Sequence, residues 1–146
     1  MSKLLGIACD HAGFDLKRAL VTELQKQGWV LRDFGATNND PCDYPDFAHA
    51  VGVAVENGEI VHAILVCGTG VGMSIAANRH VGVRAVVCSE PLSARMARQH
   101  NDANILCLGA RIVGVGTALD IAEAFLSGTF EGGRHARRVA KLGVTA

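Results

Sequence analysis

Net charge is the first thing this sequence lacks. Its 14 Lys plus Arg offset 14 Asp plus Glu, so no overall field draws the chain toward nucleic acid or an anionic membrane surface. Any anion site must be local. Long apolar runs are missing too, although 49% of the residues are hydrophobic. None approaches the roughly 18 residues a membrane span needs, and the first residues carry no signal-peptide pattern. The expectation is a soluble, cytoplasmic protein that engages neither membrane nor nucleic acid. The five cysteines, Cys9, Cys42, Cys67, Cys88 and Cys107, include no C-x-x-C pair, which argues against a disulfide framework and a zinc knuckle alike. Reduced thiols are expected, most of them simply packed. Repeats, low-complexity tracts and Pro/Ser-rich linkers are also absent, and a length of 146 residues suits one compact domain, 1–146.

What is present is an alternation. Short runs rich in Val, Ile and Leu (Leu4 to Cys9, Trp29 to Phe34, Ala63 to Cys67, Val83 to Cys88, Ile105 to Leu108) read as strands. Between them Phe14 to Gln27, Asp46 to Asn57, Gly72 to Asn78, Pro91 to His100 and Gly116 to Leu126 read as helices, the longer ones with apolar spacing of three and four. Buried strands each followed by a helix predict an α/β fold: a doubly wound, Rossmann-like, mostly parallel five-stranded sheet with helices on both faces, an α/β/α sandwich. One irregular stretch, Gly35 to Asp43, reads as a surface loop, with Asp43 or Asp46 capping the next helix. A last basic helix over about residues 131–142 has few apolar side chains and is expected to pack on a partner subunit.

In parallel α/β sheets ligands bind beyond the carboxyl ends of the strands, and three polar clusters are expected there: Cys9-Asp10-His11, Cys67-Gly68-Thr69-Gly70-Val71-Gly72, and His100-Asn101-Asp102 after the fourth strand and its helix. The glycine loop exposes successive N–H groups at a helix start and suits an anion, or is a tight turn with no ligand. It fails the dinucleotide fingerprint, although Glu90 lies near the expected acidic distance. Cys67 precedes that loop, where helix N-terminal amides favour a thiolate base; the alternative is a packed small hydrophobe, the better reading for Cys9, Cys88 and Cys107. His100 is a candidate acid–base or a helix-dipole contact. Asp10 is a candidate site carboxylate or a helix cap, with His11 solvated. Arg134 and Arg138 lie four apart and with Arg111 suit a phosphate dianion, against the alternative of a solvated basic face beside Arg137 and Lys141.

Taken together, the segments Cys9 to Phe14, Asp43-Tyr44-Pro45, Cys67 to Gly72, Arg98 to Asn104 and Glu131 to His135 closely resemble the ribose-5-phosphate isomerase B family, within a superfamily that also holds galactose-6-phosphate isomerase subunits. Ile75-Ala76-Ala77-Asn78 continues the same pattern, and the match runs nearly end to end. The resemblance implies an aldose-ketose isomerase of pentose phosphate metabolism that interconverts D-ribose 5-phosphate and D-ribulose 5-phosphate through an enediolate. It implies Cys67 as base, His100 in ring opening with help from Asp10, and Gly68, Thr69, Gly70, Val71 and Gly72 around the reacting carbons. Asn101 would hold sugar hydroxyls, and His11, Arg111, Arg134 and Arg138 the phosphate. It further implies a homodimer with sites between subunits, open to pairing into tetramers, and neither metal nor organic cofactor. Departures are Leu92, where an aromatic residue is common, and a short tail after Leu142. Two other readings stand beside it: an isomerase of another phosphosugar (allose 6-phosphate, galactose 6-phosphate or a tetrose phosphate), and a non-catalytic phosphate- or nucleotide-binding module.

Overall fold

The computed structural model describes residues 3–143. Among these residues five strands form one sheet: β1 (Leu4–Cys9), β2 (Val30–Asp33), β3 (Ala63–Cys67), β4 (Ala85–Val87) and β5 (Ile105–Gly109). They lie in the order β2-β1-β3-β5-β4, and every pairing is parallel. The strand expectation therefore holds, with a fully rather than mostly parallel sheet. β3 and β5 are buried along their whole length, which is why they read as unbroken apolar runs rather than alternating ones. β4 is shorter than expected. It is an edge strand, and Asn side chains replace the ladder at its entry: Asn104 accepts from the Arg84 N–H at 2.8 Å and Asn78 from that of Ala85 at 2.8 Å.

The described residues also form six α-helices, one after each strand and a last one after the fifth helix: α1 (Phe14–Lys26), α2 (Tyr44–Glu56), α3 (Val71–Ala77), α4 (Pro91–Asn101), α5 (Val115–Ser127) and α6 (Arg134–Ala140). One core, containing Leu20, Leu24, Ala94, Ile121 and Phe125, lies under α1, α4 and α5; a second, containing Ala48, Val51, Met73 and Ala77, lies under α2 and α3. Each buried Ile, Leu or Phe contributes about 1.5–3 kcal/mol. A short 3-10 turn over His11–Gly13, not expected from the sequence, joins β1 to α1. Asp43 occupies the N-cap position of α2, but its side chain makes no cap hydrogen bond, so neither proposed aspartate cap forms; Pro in the first turn removes one of the donors that a cap would serve. α6 is shorter than the expected 131–142 because Gly132 and Gly133 take positive φ values of 66° and 57° and hold its start back to Arg134.

This topology corrects one expectation. A helix that follows a parallel strand runs back along the sheet, so α4 begins at the carboxyl end and finishes at the amino end. His100-Asn101-Asp102 therefore lies at the amino ends of the strands, where the Asn104 carbonyl accepts the N–H of Ala63, the first residue of β3. Cys67 closes the same strand at its far end, about 13 Å away at ~3.3 Å per residue.

Candidate active site

At the carboxyl end the chain is fitted closely. The Sγ of Cys67 accepts the Gly70 N–H at 3.1 Å, and the residue is 4% exposed. Gly70 has φ +80°, and a Cβ there would stand 2.9 Å from Val87 Cγ2 and 3.0 Å from the Leu108 carbonyl carbon. Only glycine suits that position. Thr69 is exposed, and its Oγ1 accepts the Val71 N–H at 3.3 Å, which leaves the hydroxyl hydrogen to donate elsewhere. The loop after β5 is tied to this turn: Ala110 N–H donates to the Cys67 carbonyl at 2.8 Å and Arg111 N–H to that of Gly68 at 2.9 Å. The Arg111 side chain lies against Gly68, its Nε 3.6 Å from where a Cβ would be.

Asp10 and His11 stand on the neighbouring strand, since Cys9 of β1 is in register with Val66 of β3. Asp10 is buried and caps the turn, accepting from Gly13 N–H at 3.1 Å. The capping alternative is thus correct, and it orients the carboxylate. His11 is not simply solvated: its Nδ1 accepts the Cys42 N–H at 3.2 Å, so the neutral ring carries its proton on Nε2. The thiols differ. Burial pushes Cys9 and Cys88 up to about 11 and Cys107 well above the ordinary thiol range, which removes all three as bases and agrees with their reading as packed residues.

The amino end is made of side chains on helix termini. His100, on the last turn of α4, stacks on His135 of α6 with ring centroids 4.2 Å apart and planes 6° from parallel. Glu131 Oε1 lies 3.7 Å from His100 Nε2 and 3.6 Å from His135 Nε2, and the Glu131 N–H anchors the segment on the Gln99 carbonyl at 3.0 Å. His135 is 6% exposed, and its Nε2 is buried with no hydrogen-bond partner among the described residues. Desolvation, then the charges of His100 and Arg134, hold its pKa below the ordinary histidine value. Asn101, Arg134 and Arg138 are exposed. Asp102 is a structural clamp, accepting from Arg84 at 3.3 Å and Arg98 at 3.1 Å.

Within one chain, then, Asp10, His11, Cys67 to Gly72 and Arg111 gather at the carboxyl end, and His100, Asn101, Arg134 and Arg138 gather at the amino end. Three neighbours were not singled out individually from the sequence. Tyr44 lies over the glycine loop, its ring 2.6 Å from where a Gly72 Cβ would stand. Glu131 and His135 flank His100 and, with it, form a group capable of holding a metal ion. The signals for them were the Asp43-Tyr44-Pro45 string and the four-residue spacing of Glu131 and His135.

A doubly wound α/β subunit with a thiol on a glycine turn and a basic, histidine-bearing opposite end belongs, as a class, with proteins that handle small anionic molecules. The particular family follows from comparison. Residues 5–142 match the Ribose/Galactose Isomerase family, and the chain belongs to it. It is 50% identical to ribose-5-phosphate isomerase B of Escherichia coli K12 over 137 residues, covering 94% of this chain and 92% of that protein. It superposes on the isomerase B structure from Clostridium thermocellum with a TM-score of 0.94 and 51% identity, covering 96% and 95% of the two chains. The Mycoplasma genitalium isomerase B with bound ribulose-5-phosphate matches at a TM-score of 0.90 and 40% identity, covering 95% and 93%. No helix among the described residues is long and apolar enough to cross a membrane.

Proposed function

We propose that this protein is an aldose-ketose isomerase that interconverts D-ribose 5-phosphate and D-ribulose 5-phosphate, with Cys67 as the base. The observation that carries the reading is the Cys67 sulfur, which accepts the Gly70 N–H at a helix-opening glycine turn. The family membership and the ribulose-5-phosphate bound to a similar protein support the substrate.

Pentose phosphates are largely cyclic, so His100 first moves a proton from the C1 hydroxyl to the ring oxygen, opening the furanose to an aldehyde. The Cys67 thiolate then takes the C2 proton; the C2–H electron pair forms the C1–C2 double bond, and the carbonyl pair moves onto O1. After proton exchange between O2 and O1, the Cys67 thiol returns its proton to C1 and the carbonyl forms at C2. Loop amides and the Thr69 hydroxyl donate to the developing oxyanion, where one such donor contributes about 3 kcal/mol. Asp10 assists at ring opening, Asn101 holds sugar hydroxyls, and His11, Arg111, Arg134 and Arg138 hold the phosphate, whose binding energy aligns C1 and C2 against the sulfur.

The two groups of residues stand at opposite ends of a subunit, so the reading requires a homodimer. A two-fold axis perpendicular to the strands sets two sheets antiparallel and brings the carboxyl end of one subunit to the amino end of the other. Tyr44 and Val53 on α2 and Val71 and Ile75 on the adjoining α3 are 39–56% exposed, an apolar face suited to such packing. An aldose-to-ketose assay with ribose 5-phosphate tests the activity; turnover confined to allose 6-phosphate, galactose 6-phosphate or a tetrose phosphate would reassign the substrate, and none on any of them would end the reading.

A further inference from the structure

We propose that His100, Glu131 and His135 form a binding site for a single zinc-like divalent cation, and that occupancy of this site switches the isomerase off. The nitrogens of the two imidazoles and a carboxylate oxygen lie within 4.8 Å of one another. Their separations are informative. At 3.6 and 3.7 Å from Glu131 Oε1, neither Nε2 is within hydrogen-bond range. Both distances instead approach the edge of a zinc tetrahedron, about 3.3 Å for ligands at 2.0–2.1 Å. The group is thus too loose for a hydrogen-bonded cluster, while two of its three edges are nearly the right length for an ion site.

A second observation is independent of this spacing. The His135 Nε2 is buried, faces the Glu131 carboxylate and has no hydrogen-bond partner among the described residues. Buried polar nitrogens are almost always satisfied, and a cation coordinated here would satisfy this one. A simple His100–Glu131 ion pair would leave it orphaned.

The donor set selects the ion. Two imidazoles and one carboxylate suit zinc and its neighbours in the first transition row and disfavour magnesium and calcium, which take oxygen ligands. Three protein ligands leave a fourth position open to water. The backbone is already fixed on both sides, by α4 and by the Glu131 N–H on the Gln99 carbonyl. The rings must open from their parallel stack so that both lone pairs converge, a motion about χ2, which is a broad torsion in histidine. An ion held there occupies His100 Nε2. The inhibition, unlike the binding, rests on the ring-opening role proposed for His100.

The test titrates the metal-free full chain with Zn²⁺ by calorimetry and with Co²⁺ by absorption, beside Glu131→Gln and His135→Phe, the second keeping a flat ring in the stack; thermal melts check that both variants fold. One ion per chain is expected, weakened at least about tenfold in each variant, with a cobalt spectrum free of thiolate charge transfer. Absence of stoichiometric binding, affinity in both variants equal to that of the parent chain, or a thiolate band that assigns the ion to a cysteine would overturn the site. Zinc should also abolish turnover reversibly, with chelator restoring it. Binding at these residues without inhibition would keep the site but remove His100 from ring opening.

Discussion

The two ends of the sheet are built on different principles. At the carboxyl end the backbone does the positioning: glycines at 70 and 72 admit Val87, the Leu108 carbonyl and the Tyr44 ring where any side chain would clash. At the amino end the functional groups are tips of side chains on α4 and α6, half exposed or fully exposed apart from the buried His135. The contrast teaches a division of labour. On the proposed mechanism, the atom that must reach two adjacent carbons is fixed by main chain, whereas the groups assigned to phosphate capture and ring opening are carried on adjustable stems.

Three substitutions and one labelling experiment sharpen this contrast or break it. Cys67→Ala should cost the most, on the order of 10³-fold or more in kcat, with loss of solvent-hydrogen exchange into substrate and little change in the melting temperature. Turnover within a few-fold of the parent would remove the sulfur from the chemistry. Arg134→Ala, at the other end, should act mainly on KM, raising it roughly 10- to 100-fold for the loss of a charge-assisted phosphate contact. A fall in kcat with KM unchanged would show that the amino end does more than capture. Gly70→Ala should destabilise the fold by about 1–3 kcal/mol, through positive-φ strain and a methyl group forced onto Val87, measured as a lowered melting temperature. An unchanged melting temperature would mean that the turn is less closely fitted than its geometry indicates.

The labelling prediction has the smallest effect and follows from the raised pKa values. With burial holding Cys9 and Cys88 at about 11 and Cys107 well above the ordinary thiol range, all three stay protonated at mildly alkaline pH, below their folded pKa values. Alkylation should then spare these three and fall on the partly exposed Cys42, as read by peptide mass spectrometry. Cys67 is 4% exposed in the single chain; its labelling beside Cys42 would support the base role proposed for it, and its failure to react would count against that role.

Much of this was legible in the sequence because strand burial and helix periodicity are local signals. The apolar runs of β1, β3 and β5 were read correctly as strands, and the glycine string after Cys67 as a turn that opens a helix, for that reason. Direction along the sheet is not local. His100 was placed with the carboxyl-end clusters because it follows a strand and its helix, but a helix returns the chain to where the strand began. The same limit hid Glu131 and His135, whose value lies in meeting His100 across a turn set by two positive-φ glycines. Edge strand β4 was overdrawn since hydropathy does not tell a ladder from backbone capped by Asn78 and Asn104.

The central claim is that a complete site draws on the carboxyl end of one subunit and the amino end of another. It is tested most directly by combining two dead variants, Cys67→Ala and His100→Asn, by co-expression or by unfolding and refolding together. Random pairing makes half the dimers mixed, each with one intact and one doubly altered site, so about a quarter of the parent activity should return. If the mixture stays as inactive as its components while mixed dimers are shown to form, Cys67 and His100 do not work together across subunits.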